Sequence, residues 1–403
     1  LGLLYVAAAL REGGVEVGVL DLSDCRYDEE FKIPEADLYG ITGTVIDRVP
    51  VMTIAKAIKE QHGPKAPVVV GGPLSLTPEY LDHTYIDSVI VGEGEQVIFD
   101  VVEDLPDLKP LYQAERITDL DAVPFPARDL IGNLGGNIFA FNQNYREGGS
   151  TVIITSRGCP YNCAFCASPG IWKRKVVFRS VENVLAEVDE ITEKYGITQL
   201  RFSDDTFTLR RERLKAMCQG LKERDVVWRA SIRCVPNDLK MFQMMKDAGC
   251  QEVSFGVESA DPDVLEKVSK DISPEDSRIA LQNAKAAGLT VRILFMIGTP
   301  GETGQTVNRN IEFLEEVENN YDTLALTTFI PIPGSAIAND PAAFDCEILD
   351  RDIDHYNFYL WGPQGENEWR DLISLNGIDL DMMKRNRERM KQFIIESGKS
   401  NRG

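Results

Sequence analysis

The chain has 403 residues, a net charge of −21, 43% hydrophobic residues and eight cysteines. That length admits two domains with full hydrophobic cores. Strong acidity excludes a surface that tracks nucleic-acid phosphates, and there is neither a long apolar run nor a charged-then-apolar leader. The composition therefore points to a soluble cytoplasmic protein that binds neither nucleic acid nor membrane.

The chain starts at Leu1 in mid-pattern and reads as a fragment or a trimmed chain. Leu3, Leu4, Ala7, Ala8 and Leu10 form an apolar helical face closed by Gly13-Gly14. Val15 to Leu20 reads as a strand, and so does Leu38 to Ile41, which ends at Thr42-Gly43-Thr44. Val51, Ile54, Ala55 and Ile58 mark the next helix. Val68 to Val70 is a fully apolar strand stopped by Gly71-Gly72-Pro73, and Ser88 to Val91 is stopped by Gly92-Glu93-Gly94-Glu95. Apolar strands alternating with helices predict a doubly wound parallel sheet over residues 1–105, with ligands at the carboxyl ends of its strands. His62 and His83 read as surface or helix-end histidines. Residues 106–150 read as a linker, rich in Pro around Pro124-Phe125-Pro126 and in Gly and Asn from Gly132 to Gly149.

A strand-like run from Thr151 leads into the most informative stretch, which holds Cys159, Cys163 and Cys166 in a C-x-x-x-C-x-x-C pattern. Zinc sites close a tetrahedron with four ligands, usually from two paired elements, and no second pair follows here. Three thiolates can hold three irons of a four-iron cluster and leave the fourth iron open. Unrelated loop thiols, or a zinc site completed elsewhere, are the alternatives. Cys25, Cys218, Cys234, Cys250 and Cys346 are scattered singly, which suits a reducing compartment rather than a disulfide framework. Lys173-Arg174-Lys175 reads as a solvated turn, or as a contact for an anionic substrate.

Ser180 caps a helix with Val181, Val184, Leu185, Val188 and Ile191 on one face. The strands Leu200 to Phe202, Val227 to Ile232, Glu252 to Phe255, Val291 to Phe295 and Leu324 to Phe329 alternate with amphipathic helices, for example Val307, Ile311 and Leu314. With the first strand they make a partial six-unit (β/α) barrel over residues 151–339, whose functional groups belong at the strand carboxyl ends. The loops there are Ser203-Asp204-Asp205, Gly256-Val257-Glu258-Ser259, Met296 to Glu302 through Gly298, and Pro331 to Gly334. Acidic residues after strands are often helix caps, and Pro-Gly pairs are often plain turns. Residues 340–403 form a C-terminal extension. It has an aromatic stretch from His355 to Pro363, either core packing or a roof over the substrate pocket, and a final helix from Asp379 to Ile395.

At its cysteines, with Phe165 just before the last, the chain resembles the radical S-adenosylmethionine (SAM) superfamily. The resemblance implies a four-iron four-sulfur cluster on Cys159, Cys163 and Cys166, and SAM on the open iron. One-electron reduction of SAM would then give a 5′-deoxyadenosyl radical. It further implies that Asp204 or Asp205 meets the SAM amine, that Glu258, with Ser259 beside it, meets the ribose, and that the Gly298 stretch supports the adenine. The first domain and the Pro-Phe-Pro-Ala-Arg-Asp-Leu connector resemble the cobalamin-binding subfamily. That likeness places cobalamin against Thr42, Gly43, Thr44, Gly71, Gly72, Pro73, Gly92 and Glu93. The family's domain carries one more strand before the first helix than this chain does. The D-x-H-x-x-G signature is missing, so cobalamin is expected base-off without a histidine ligand.

The implied activity is a cobalamin-dependent (class B) methyl transfer through methylcobalamin to an unactivated carbon, or to a phosphinate phosphorus, of a small molecule. A low-potential donor such as flavodoxin or ferredoxin would supply electrons. The alternatives are a radical oxidation, cyclisation or rearrangement without methyl transfer, and a cobalamin- or SAM-binding protein without turnover. Transfer-RNA methylthiolation is disfavoured, because the N-terminal half has only Cys25 for a second cluster.

Overall fold

The computed structural model describes residues 1–22, 31–132, 145–146, 149–235, 237–356 and 371–399. The chain divides into two compact units, residues 1–134 with 352–357, and residues 135–351 with 358–403.

The first unit holds α1 (Gly2–Glu12), β1 (Tyr39–Thr42), α2 (Arg48–His62), β2 (Val68–Gly71), β3 (Ser88–Val91), α3 (Gly94–Glu103) and β4 (Leu111–Gln113). All four strands are parallel, in the order β1-β2-β3-β4. The unbroken valine run of β2 is explained by burial on both faces. Val68 and Val70 pack with Val51, Ala55 and Ile58 of α2, while Val69 packs with Val97, Ile98 and Val101 of α3. Each of those valines contributes about 1.5–3 kcal/mol by leaving water. This is the doubly wound layer arrangement that the sequence predicts.

Two expectations are corrected. Val15 to Leu20 forms no strand ladder among the described residues. Its alternation survives, since Val17 and Val19 pack on Ala7, Ala8 and Ala127, but a strand is defined by a hydrogen-bonded neighbour and none of the described segments supplies one. The supposed linker contributes β4 to the sheet, where Leu111, Tyr112 and Gln113 pair with Val89, Ile90 and Val91. Part of the C-terminal extension also clusters with this unit, as Asp354 accepts two bonds from the Arg48 guanidinium at 2.7 and 2.9 Å.

The second unit begins with β5 (Ser150–Ile153), β6 (Ser156–Arg157), α4 (Ser168–Trp172), β7 (Val177–Phe178), α5 (Val181–Tyr195) and β8 (Gln199–Phe202). It continues with α6 (Arg211–Lys222), β9 (Val227–Arg233), α7 (Leu239–Asp247), β10 (Cys250–Glu258), α8 (Pro262–Lys267), α9 (Pro274–Ala286), β11 (Thr290–Ile297), α10 (Thr306–Glu316) and β12 (Thr323–Thr328). It closes with α11 (Ala336–Asn339), β13 (Cys346–Ile348), β14 (Ile373–Leu375) and α12 (Leu380–Ser397). Six parallel strands run in the order β12-β11-β10-β9-β8-β5, a partial barrel with each expected strand in place. The helix cap read from sequence at Ser180 forms, and the structure adds a like cap at Asp379. The Ser180 hydroxyl accepts from Asn183 N at 3.1 Å, and Asp379 accepts from Met382 N at 2.6 Å. Of the aromatic stretch, His355 and Tyr356 are described and Tyr356 is buried; its remaining residues, like Cys25 and most of the Gly/Asn-rich run, lie outside the described residues.

Candidate active site

The cysteine loop leaves β5 and turns at Gly158, whose φ of +102° and surroundings require glycine: a Cβ there would stand 2.1 Å from the Lys175 carbonyl oxygen. The loop is held at its back. Ala164 N donates to the Val268 carbonyl at 2.8 Å, and Ile337 N donates to the Ala164 carbonyl at 3.1 Å. Cys166 N donates to the Cys163 carbonyl at 3.1 Å, which closes a tight turn between these two cysteines. Cys163 is buried, while Cys159 and Cys166 are half-buried. Burial pushes the Cys159 thiol upward and that of Cys166 up to about 11.

The donor set fits an iron–sulfur cluster. It consists of three soft ligands on a pinned loop, with a cation against one of them: Arg233 Nη1 lies 3.3 Å from Cys163 Sγ. Among the described residues no three His, Cys, Asp or Glu side chains converge as ligands of a single ion do. A four-iron cluster is larger than one ion and needs more widely spread thiols. Lys173-Arg174-Lys175 is an exposed turn with left-handed backbone at Lys173 and Arg174, and Arg174 Nε donates to the Pro160 carbonyl at 3.2 Å. The turn reading holds, and this turn braces the cysteine loop.

The two carboxylates after β8 are separated by their surroundings. Asp204 is buried and accepts from Thr155 N at 2.7 Å, Thr155 Oγ1 at 2.6 Å and Ser156 Oγ at 2.6 Å. Burial still raises its pKa against those three bonds. Its oxygens are committed to fixing the entry to the cysteine loop. Asp205 is exposed and accepts only from Ser168 Oγ, at 3.0 Å, among its described bonds. Of the two, Asp205 has acceptor capacity for an ammonium.

Glu258 ends β10 at φ +66°, and Lys270 Nζ donates to its carboxylate at 3.0 Å while standing 5.5 Å from the Phe165 ring centre. Burial would lower the Lys270 pKa, but Glu258 and Cys163 outweigh it and the net shift is upward. A Cβ on Gly256 would meet Glu258 Oε1 at 2.4 Å, so that glycine makes room for the pair. Ser259 faces elsewhere: its hydroxyl donates to Asn310 Oδ1 at 3.2 Å and accepts from Asp261 N at 3.1 Å. Gly298, at φ +79°, opens a turn in which buried Glu302 accepts from Thr299 N at 2.8 Å. Pro331 to Gly334 ends in a turn with Gly334 at φ +88°.

Arg233, Lys270 and Thr206, whose hydroxyl lies 3.9 Å from Cys159 Sγ, were not legible as site residues. Arg233 did leave a trace: Arg229, Ser231 and Arg233 occupy alternate positions of one strand, so polar side chains share a face that a core strand would keep apolar. The separation of 12 positions between Glu258 and Lys270 carries no comparable signal.

In the first unit the three turns lie along the carboxyl edge of the sheet. Thr42, Thr44, Pro73 and Gly92 are exposed there, and Leu74 N donates to the Gly43 carbonyl at 3.0 Å, tying two turns together. A Cβ on Gly72 would meet Thr42 Oγ1 at 2.5 Å, so the glycines keep this edge thin. Thr44 caps the helical turn that precedes α2 through Asp47 at 2.7 Å. Glu93 is buried and accepts from Arg116 at 2.7 Å and Ile117 N at 2.9 Å, so it anchors the chain beyond β4. An edge low in side chains suits a broad, flat cofactor. His62 is committed to the Ile33 carbonyl at 3.0 Å and stacks on Tyr39, and His83 lies in an exposed turn after β2.

A thiol loop at the mouth of a six-strand partial barrel, preceded by a doubly wound unit with a bare carboxyl edge, defines a class of iron–sulfur enzyme with an accessory cofactor domain. The description "Radical SAM superfamily" matches residues 153–314, and "B12 binding domain" matches residues 1–102. An uncharacterised methyltransferase of Pyrococcus horikoshii is 33% identical over 374 residues, which cover 84% of this chain and 79% of the relative. The cytidylyl-2-hydroxyethylphosphonate methyltransferase of Streptomyces wedmorensis is 25% identical over 390 residues, 80% of this chain and 72% of the relative. Among solved structures, the radical SAM methyltransferase TsrM of Kitasatospora setae, with cobalamin and an iron–sulfur cluster bound, has the same fold. It superposes with a TM-score of 0.65 at 20% identity, over 87% of this chain and 78% of that one. The chain belongs to the radical SAM superfamily, in the branch that carries a B12-binding domain. No described helix is long and apolar enough to cross a membrane.

Proposed function

We propose that the protein is a cobalamin-dependent radical SAM methyltransferase acting on an unactivated carbon, or a phosphinate phosphorus, of a small molecule. The observation that carries this reading is one chain holding both the three-thiol barrel loop and the bare-edged B12-binding unit. When bound, the cluster supplies the electron that cleaves SAM, and cobalamin carries the methyl group.

The protein's own residues have separable tasks. Cys159, Cys163 and Cys166 hold the cluster. Asp204 pins Thr155 and Ser156 and so fixes where the loop starts, while Asp205 is free to take the SAM ammonium. Glu258, oriented by Lys270, offers its remaining acceptor sites to the ribose hydroxyls, and the Gly298 turn admits the adenine edge. Ser259 supports the turn from behind, bonded to Asn310. In the first unit Thr42, Gly43, Thr44, Gly71, Gly72, Pro73 and Gly92 border the cofactor face, with Glu93 bracing it from below. A flavodoxin or ferredoxin is the electron donor in this scheme.

The test is stoichiometry under anaerobic conditions with cluster and cobalamin loaded. Methyl transfer of this kind consumes two SAM per product, giving equal 5′-deoxyadenosine and S-adenosylhomocysteine. 5′-Deoxyadenosine without S-adenosylhomocysteine would replace this reading with a single-SAM oxidation or cyclisation.

A further inference from the structure

The ion pair of Lys270 and Glu258, at the carboxyl end of the barrel, is tied to the cysteine loop at two points. Both side chains are largely out of water, 8% and 14% exposed, and Lys270 Nζ stands 3.0 Å from Glu258 Oε1. Among the described residues Lys270 is the one hydrogen-bond partner of the Glu258 carboxylate, so whatever holds Lys270 also holds Glu258. The backbone around the pair is left-handed at three positions other than glycine: φ is +66° at Glu258 and +53° and +49° at Ser269 and Asp271, on either side of Lys270. Such conformations are costly and persist only where the surroundings impose them. A Cβ on Gly256 would stand 2.4 Å from Glu258 Oε1 and 3.1 Å from Lys270 Nζ, so a side chain there would displace the pair.

The end of α8 forms a bracket between this pair and the thiols. It is rooted in the core through buried Val264 and Leu265. Val268 N donates to the Val264 carbonyl at 3.0 Å, and Lys270 N donates to the Leu265 carbonyl at 2.9 Å. The Val268 carbonyl accepts from Ala164 N at 2.8 Å, and Lys270 Nζ lies 5.5 Å from the ring centre of Phe165. Ala164 and Phe165 are the whole span between Cys163 and Cys166. Iron held by those two cysteines fixes both ends of the span, and through Val268 and the Phe165 ring it steadies Lys270. A carboxylate already held in place loses less conformational freedom when its ligand arrives. Stability alone does not call for an ion pair here, because well-packed apolar side chains commonly serve a buried position as well.

We propose that Lys270 is a positioning residue that couples the cysteine loop to Glu258, so that a loaded cluster tightens the hold on the ribose hydroxyls of the bound nucleoside. It rests on the proposed function in assigning Glu258 to the ribose. The coupling is reciprocal, so a bound nucleoside steadies the cysteine loop to the same degree.

The probe is 5′-deoxyadenosine, which carries both ribose hydroxyls but lacks the amino-acid group that would bind iron directly. Its dissociation constant is measured by anaerobic equilibrium dialysis on the full chain, with the cluster loaded and after iron removal. Loading should tighten binding about fivefold, the lower end of ordinary coupling between sites. Lys270→Met should bring the two forms within about twofold of each other while iron content and circular dichroism match the parent, and Lys270→Arg, which keeps the cation, should restore most of the difference. Glu258→Gln should bind more weakly and show no difference between the forms. The coupling is refuted if the parent binds equally in both forms or not at all, if Lys270→Met keeps the parent's difference, or if Glu258→Gln binds as the parent does. Should Lys270→Met fail to take up iron, Glu258→Gln decides, since a retained difference there refutes the coupling as well. 5′-Deoxyadenosine formed in turnover without S-adenosylhomocysteine would overturn the proposed function and leave the coupling standing.

Discussion

Replacing Glu302 with Gln should flatten the dependence of stability on pH. The Glu302 carboxyl is buried in the turn after β11, and burial raises its pKa from 4.5 to about 7. The Thr299 and Gly298 N–H groups and Arg387 pull the other way, and Asp261 adds to the rise. Because the folded value lies above the unfolded one, the neutral carboxyl costs nothing below the unfolded pKa. As pH climbs from 4.5 toward 7 the unfolded chain ionises first and stability falls; beyond 7 the penalty is constant. A shift of that size amounts to about 3 kcal/mol in full, of which about 2 kcal/mol develops between about pH 5.5 and 8. Gln keeps an acceptor for Thr299 N and has no proton to lose. Urea unfolding of both proteins, followed by tryptophan fluorescence with Trp228 fully buried in the same unit, should show E302Q gaining that difference over the parent as pH rises. A gap between the two that stays constant from pH 5.5 to 8 would refute the reasoning, and Glu302 would then be ionised in the folded protein.

Other perturbations separate neighbouring roles. Cys163→Ala should lose iron on anaerobic reconstitution and abolish 5′-deoxyadenosine formation; unchanged turnover would point to a binding protein without catalysis. Gly158→Ala forces a Cβ to 2.1 Å from the Lys175 carbonyl, so iron content after gel filtration should drop while α-helical circular dichroism is kept. Arg233→Gln removes a cation and a donor from Cys163 Sγ. EPR-monitored redox titration should find the cluster midpoint lower by on the order of 60 mV, the equivalent of one charge-assisted bond of about 1.4 kcal/mol. An unchanged midpoint would mean that Arg233 only packs on Tyr161, whose ring centre lies 3.9 Å away. Asp204→Ala should lower stability by about 1–3 kcal/mol in urea unfolding, whereas Asp205→Ala should leave stability within about 0.5 kcal/mol and weaken SAM binding by equilibrium dialysis. The opposite pattern would exchange their roles.

Much of this architecture is local chemistry, and local chemistry is legible. Three thiols in eight residues, with Gly158 and Pro160 to bend the chain, specify a ligand loop whatever surrounds it. The valine run of β2 reports burial on both faces, because a strand's side chains alternate between its two faces. The turns Thr42-Gly43-Thr44 and Gly71-Gly72-Pro73 mark strand ends because glycine is needed where chains approach closely, as the 2.5 Å clash of a Cβ on Gly72 shows.

Other features depend on which segments become neighbours. Val15 to Leu20 has the alternation of a strand but no ladder among the described residues, and β4 emerges from a stretch whose composition reads as linker. Asp204 and Asp205 are chemically identical and adjacent in sequence, so no pattern distinguishes them. The loop after β8 sends Asp204 to Thr155 and Ser156 and Asp205 to Ser168. Arg233 meets Cys163 across a separation of 70 residues, and Arg201, Arg229, Glu252 and Arg292 meet only through the register of four strands. Shifting any one of those strands by a single residue would turn its side chains to the opposite face. The sequence by itself thus determined the three-thiol loop and the kind of layers that carry it. The tertiary structure decided which charges face one another, because that is set by strand register across long stretches of chain.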